Sequence, residues 1–233
     1  MYYRWATSRH SEKLTAFLEG YEGLLQSDAY DAYVQFAADN EGVILVGCMA
    51  HMRRKFFDAR DQHPRECALV LKLIARLYQV EKTIRETPIP LEQISPYRKK
   101  HALNSHRRLR RVLAILRHGA LPESQLGKAC AYALNHWTSM SRYLDYGQVA
   151  IDNNAMENAI RPTAIGKKNW MFVGHPQAGD RPAILYSILL SCQRLQIDIN
   201  EYLQDVLSLD TRILDNEQLA ELTPAQWKKA RSN

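Results

Sequence analysis

Two acidic residues, Asp28 and Glu157, stand where regular elements should end or begin, each in company suited to phosphate or metal chemistry. Asp28 closes the short apolar run from Gly23 to Gln26 and Ser27. A carboxylate at the C-terminal end of a strand lies where α/β folds place ligands, although a solvated turn residue or helix cap serves the same position. Glu157 lies in Ile151-Asp152-Asn153-Asn154-Ala155-Met156-Glu157-Asn158-Ala159-Ile160-Arg161-Pro162. There Asn154 is a plausible N-cap, with Glu157 reaching back as a capping box and Arg161 on the same helical face. Capping alone leaves the crowding of Asp152, Asn153 and Asn154 unexplained, as it does Gly166-Lys167-Lys168-Asn169-Trp170. A first-turn carboxylate backed by Arg161, Lys167 and Lys168 suits a site for a metal ion and phosphates. Carboxylates distant in sequence can converge on Mg²⁺, which takes oxygen ligands and keeps water and phosphate in its remaining positions. Pairs of such ions serve phosphoryl transfer.

The elements expected to carry these residues follow a strand–helix rhythm. Tyr2 to Ala6 reads as a strand, Ser11 to Leu18 and Tyr30 to Ala38 as helices, and Gly42 to Cys48 as the clearest strand. Its apolar, largely β-branched run Val43, Ile44, Leu45, Val46 suits a strand buried on both faces of a parallel sheet. Met52 to Arg60 continues as a helix. Glu66 to Arg85 is amphipathic, with Leu69, Leu73, Leu77 and Val80 at helical spacing. Tyr97 to His118 is a long basic helix with Arg98, Lys99, Lys100, Arg107, Arg108, Arg110, Arg111 and Arg117, and its Leu103, Leu109, Val112 and Leu116 form a packing face. Pro122 to Leu144 is helical, in one or two pieces, with Trp137 and Tyr143 in the core. Pro182 to Leu195 and Ile199 to Leu207 are further helices, the second capped by Asn200. Asn169 to Val173 reads as a short strand or loop, and the polar tail from Asp210 is expected to fray.

The chain has 233 residues, 46% hydrophobic, enough for one large domain or two small ones. With 31 Lys+Arg against 25 Asp+Glu it carries net charge +6, which favours a polyanionic partner without specifying one. His51 follows the central strand and could touch a scissile phosphate. Arg53, Arg54 and Lys55 could hold DNA backbone, as could Arg107, Arg108 and Arg111, in a salt-sensitive manner. Each group also reads as an ordinary structural His or solvated charged face. The four cysteines, Cys48, Cys67, Cys130 and Cys192, show no Cys-x-x-Cys spacing, and reduced thiols in a cytoplasmic protein are expected. No apolar run is long enough to span a membrane.

Several of these segments resemble the insertion sequence 66 family of DDE transposases. They are Leu25 to Tyr30 with Tyr33, Val46 to Phe56, Ile151 to Pro162, Gly166 to Phe172, Leu185 to Ile188, and Tyr202-Leu203. The resemblance covers nearly the whole chain in order, and Asn-Asn-x-x-Glu-x-x-Ile-Arg-Pro followed by Lys-Asn-Trp is its most specific part. It implies an α/β, predominantly helical fold: a partial ribonuclease-H-like core with a large all-helical insertion. The boundaries expected are residues 1–58 and 149–195 for the core, 59–148 for the insertion, and 196–233 for a C-terminal helix and tail. It further implies Asp28 and Glu157 as catalytic, metal-binding residues of a two-Mg²⁺ site. The DNA contacts it allows are His51, Arg53, Arg54, Lys55, Arg161, Lys167, Lys168, Asn169, Trp170, Arg107, Arg108 and Arg111. The implied reaction is cleavage at transposon ends followed by attack of the freed 3′-OH on target DNA. Two departures stand out. Met49 occupies a position where tryptophan is usual, and the strand bearing the family's first Asp belongs upstream of Tyr2. A truncated transposase is therefore expected, inactive alone, marginally stable or self-associating through strand edges, unless an upstream polypeptide supplies the Asp. The alternatives are a non-catalytic DNA-binding or regulatory fragment and a ribonuclease-H-like nuclease outside transposition.

Overall fold

The computed structural model describes residues 2–8, 10–170, 174–210 and 213–231, without the side chains of Lys167, Lys168, Trp170, Pro176 and Gln177. Two compact units emerge, one of His10–Asn158 and one of Met1–Arg9 with Ala159–Asn233. The fold is predominantly helical, and the sheet among the described residues has two strands.

In the His10–Asn158 unit, α1 (Ser11–Phe17), β1 (Gly23–Gln26), α2 (Asp31–Asp39), β2 (Val43–Val46) and α3 (Met49–Asp58) follow in order. The strands pair in parallel, from Gly23↔Val43 to Gln26↔Val46, with α2 as the crossover. β2 is the buried member: Val43, Leu45 and Val46 are each at most 9% exposed, as its β-branched run demands. Successive residues of a strand point their backbone groups to alternate sides, and on the side away from β1 the carbonyl of Leu45 accepts from Arg142 Nη1 at 2.8 Å. Nearby, Gly47 N–H donates to the Ser139 carbonyl at 3.0 Å. This edge of β2 is therefore engaged. Gly47 is needed there, because a Cβ would come within 2.9 Å of Met140 Cγ.

Four helices follow: α4 (Pro64–Glu86) and α6 (Gln125–Asn135) pack on α3, α5 (Leu91–Gly119) packs on both of them, and α7 (Trp137–Ser141) lies against β2 and runs into a 3-10 turn at Arg142–Leu144. Their apolar stripes share one core with β2 and α3, built around Val46, Met52, Phe56, Leu73, Leu77, Leu109, Leu113 and Tyr143. α5 begins at Leu91, well before the Tyr97 start expected from sequence. Pro96 lies early in the helix and forfeits only the hydrogen bond to the carbonyl four residues back. Arg98 is also not part of the basic surface. It is 3% exposed and bonded to Glu81.

His106 of α5 lies against Trp137, with ring centroids 4.4 Å apart, and its Nε2 is 3.1 Å from Ser141 Oγ. Burial, followed by the charge of Arg110, lowers its pKa from the usual 6.5 to about 4. The unfolded chain thus binds a proton at a pH where the folded chain does not. The stability that His106 contributes is complete above about pH 6.5 and falls as the pH drops toward 4, by about 3 kcal/mol. Urea midpoints measured from pH 7.5 to 4.5 should decline more steeply in the wild type than in His106→Gln. Parallel curves would contradict this.

α8 (Asn154–Trp170) begins in this unit and ends in the other. The second unit also holds α9 (Asp180–Arg194), α10 (Ile199–Leu207), α11 (Asn216–Glu221) and α12 (Pro224–Arg231). The strand expected at Tyr2 to Ala6 is not formed. Tyr3 N–H donates to Ser187 Oγ on α9 at 2.8 Å, and the Tyr3 ring lies 6.5 Å from that of Tyr186. The aromatic residues that suggested a strand serve here to cover a helix. Asp198, rather than Asn200, caps α10, accepting from the Asn200 and Glu201 N–H groups at 2.9 Å. The tail is ordered into helices: Asp215 and Gln218 form a capping box on α11, and Trp227 of α12 packs edge-on against Tyr202. Trp227 Nε1 donates to Asp205, and Arg231 bonds Glu201 and Asp205. Residues 171–173, where a strand or loop was expected, lie outside the described residues.

Candidate metal centre at the ends of the parallel strands

The segment before α8 is fastened to the C-terminal ends of both strands. Gln26 Nε2, at the end of β1, donates to the Ala150 carbonyl at 2.7 Å. Met49 N–H, just beyond β2, donates to the Ile151 carbonyl at 3.1 Å. Asn153 N–H donates to Cys48 Sγ at 3.3 Å. Ile151 itself is 3% exposed, so an apolar anchor and backbone bonds set where α8 starts.

These bonds explain the crowded amides and carboxylate. Asp152 accepts from Tyr78 O–H at 2.8 Å and from both the main-chain N–H and side-chain amide of Asn154. Burial, then the bond to Asp152, raises the Tyr78 pKa. Asp152 is thus an orienting residue, tying α4 to the approach of α8. The helix begins one residue earlier than a cap at Asn154 would require, with Asn153 in the cap position. Glu157 N–H donates to the Asn153 carbonyl at 3.1 Å, and Asn154 is the first helical residue. The Glu157 carboxylate faces His51, with Oε1 3.6 Å from Nδ1.

Cys48, His51 and Glu157 form a cluster whose donor atoms all lie within 4.8 Å of one another. Cys48 precedes α3 and is buried; His51, three residues on, is half-buried; Glu157 is exposed. Burial raises the Cys48 pKa, while the N–H groups of Asn153, His51 and Ala50 act against it. His51 Nδ1 is inaccessible to solvent and has no hydrogen-bond partner.

Asp28 is half-buried, two residues beyond the end of β1. Ser27 N–H continues the ladder to the Val46 carbonyl at 3.1 Å, and the Asp28 carbonyl then accepts from Tyr30 N–H at 2.6 Å. Asp28 does not belong to the tight Cys48–His51–Glu157 cluster. Tyr132 of α6 is pushed up to about 12 by burial and then by the charges of Cys48 and Asp28. Tyr33 is raised by burial and then by Asp28. Tyr132, with Lys55 Nζ 4.4 Å from its ring centroid and the His136 ring tilted against it at 4.9 Å, was missed in the sequence. Its four-residue spacing from His136 along α6 was the available signal.

The basic residues divide between local and open positions. Arg54 pairs with Asp58 on its own helix, Arg53 lies over Phe57, and Lys55 over Tyr132. Arg107, Arg108 and Arg111 are exposed on α5. A cleft of about 310 Å³ is lined by Lys99, Arg107 and Arg110 together with His106 and Trp137. Arg108 and Arg111 do not line it, whereas Lys99 and Arg110 do. Arg161 and Asn169 are exposed on α8. The side chains of Lys167, Lys168 and Trp170 lie outside the described residues.

No helix among the described residues is long and apolar enough to cross a membrane. No solved structure matches the chain. Among curated proteins, it is 32% identical over 236 residues to Uncharacterized protein y4jD of Sinorhizobium fredii, covering 97% of this chain and 45% of that protein. To Uncharacterized protein y4hP of the same organism it is 30% identical over 248 residues, covering 98% of this chain and 44% of the relative. The chain thus spans somewhat under half the length of the curated relatives it matches. Residues 1–181 match the profile described as "Transposase IS66 family", and with more than half of its length inside that match the chain belongs to the IS66 family of transposases.

Proposed function

We propose that this chain contributes Asp28 and Glu157 to a metal-dependent phosphoryl-transfer centre that cleaves and joins DNA at transposon ends, on a ribonuclease-H-like core. The observation that carries this reading is the fastening of the Glu157 segment to the C-terminal ends of both parallel strands, the end from which Asp28 also follows β1. Ligands of α/β sheets collect at such ends. The donors fit Mg²⁺ in kind: two carboxylates, one exposed and one half-buried, with solvent able to fill the remaining positions. When bound, the metal supplies a more acidic water and neutralises charge at the scissile phosphate.

The chain's own residues do the rest. Asp28 and Glu157 present negative charge at the sheet edge. His51 stands next to the Glu157 carboxylate, where its ring can orient that group or donate to a phosphate oxygen. The exposed arginines of α5 and Arg161 of α8 offer guanidinium forks to the DNA backbone. Calorimetric titration of Mn²⁺ into the full chain tests the pairing. Weaker binding in both Asp28→Asn and Glu157→Gln supports it, and affinity indifferent to both overturns it.

The cleft lined by Lys99, Arg107 and Arg110 favours a second reading, in which the chain binds DNA without chemistry. In either case, replacing Arg107 and Arg110 together by Ala should weaken duplex DNA binding and lower the slope of log K against log salt by about 2. Fluorescence anisotropy across a salt series measures this. An unchanged slope would remove the cleft from the DNA path.

A further inference from the structure

The donor set around Glu157 is softer than a magnesium site needs. Cys48 offers sulfur and His51 offers an imidazole nitrogen, and both lie within 4.8 Å of a carboxylate oxygen. Thiolate and imidazole suit zinc and its neighbours, whereas Mg²⁺ takes oxygen. We infer that Cys48 Sγ, His51 Nδ1 and a Glu157 carboxylate oxygen form a site for a thiophilic divalent cation of the zinc class, excluding Asp28.

Three observations converge on this assignment. The first is the 3.6 Å between His51 Nδ1 and Glu157 Oε1. That is too long for a hydrogen bond, yet donors sharing one tetrahedral zinc ion lie roughly 3.5 Å apart. The second is the state of Nδ1, buried and without a hydrogen-bond partner. An unsatisfied buried nitrogen is costly, and a cation between it and Glu157 would satisfy it. The third is the support behind the sulfur. Asn153 N–H donates to Cys48 Sγ, and Tyr78 holds Asp152 in the same turn. Such outer contacts hold ligands in place.

Elsewhere the cation would meet solvent on the exposed Glu157 side, leaving an open position for water as in zinc sites with three protein ligands. On binding, the Cys48 thiol gives up its proton to solvent, the sulfur–metal bond replaces S–H, and no redox partner is needed. Because Glu157 is common to both sites, zinc here would withdraw it from Asp28. Zinc would then antagonise Mg²⁺-dependent chemistry, a consequence that rests on the phosphoryl-transfer reading, whereas the binding itself does not.

The test uses Co²⁺ as the probe on the full chain, reading the near-ultraviolet thiolate-to-cobalt charge-transfer band. The expected result is saturable binding with that band in the wild type and in Cys130→Ser. Cys48→Ser should lose the band, and His51→Gln should bind at least tenfold more weakly. Asp28→Asn should keep the band while losing Mn²⁺ affinity, so this site and the Asp28–Glu157 pairing stand or fall separately. A wild-type chain without the band, or a band undiminished by Cys48→Ser, overturns the assignment. If Cys48→Ser fails to fold, His51→Gln decides, since His51 is half-buried and Co²⁺ affinity unchanged in that variant has the same force.

Discussion

Arg98→Met should destabilise the His10–Asn158 unit by about 3–5 kcal/mol, the cost of leaving one partner of a buried ion pair without the other. Arg98 Nε and Nη2 donate to the two Glu81 oxygens at 2.8 and 2.7 Å. Its Nη1 donates to the carbonyls of Tyr143 at 2.7 Å and Tyr146 at 3.0 Å. One guanidinium thus joins α5 to α4 and to the turn leading toward α8, with 3% of its surface exposed. Methionine fills the volume but strands the Glu81 carboxylate and both carbonyls. Against the roughly 5–15 kcal/mol typical of a folded domain, that is a large share. Replacing Glu81 by Leu in the same chain should recover part of the loss, because the carboxylate goes while the carbonyls stay unpaired. Urea denaturation of the two variants measures both effects. A shift below about 1 kcal/mol for Arg98→Met would mean that the pair behaves as a solvated one.

Glu157→Gln should weaken Mn²⁺ binding by about 10–100-fold or more, since disturbing even an outer-shell partner of a metal site has effects of that size. It should also abolish any metal-dependent strand cleavage while leaving DNA affinity within a factor of about 3. That combination is informative because the amide keeps the size of the acid and removes only charge. Glu157 is exposed and no described core residue leans on it, so stability should hold within about 0.5 kcal/mol. Cleavage that persists in the variant would move the chemistry elsewhere. Unchanged metal affinity together with intact DNA binding would favour the binding-module reading.

Much of the scaffold was legible because period and composition agreed. The apolar, largely β-branched run Val43 to Val46 suited a buried strand, and the leucines of α4 repeat at helical spacing. Arg98 was misread because a single arginine in a basic run looks like its neighbours. Its burial depends on Glu81, on another helix, which one-dimensional charge counting cannot see. The Asp215–Gln218 box was visible as a cap signature, and polarity obscured it. Tyr2 to Ala6 failed for a different reason, since aromatic residues cover a helix as readily as they form a strand. At the site, Asp28 and Glu157 were chosen by position and by family resemblance. Cys48 was passed over because it has no cysteine partner nearby. Its neighbours come from the next turn of α3 and from a segment far along the chain, a proximity that only folding reveals.

The contacts that finish β2 come late in the chain. Leu45 is bonded by Arg142, Gly47 by Ser139, Met49 by Ile151 and Cys48 by Asn153. On a ribosome, the strand must wait until about a hundred further residues have emerged before its outer side is engaged. Until then the nascent polypeptide carries an unfinished ribbon. A message broken anywhere within the intervening helices would yield an aggregation-prone product rather than a smaller folded unit.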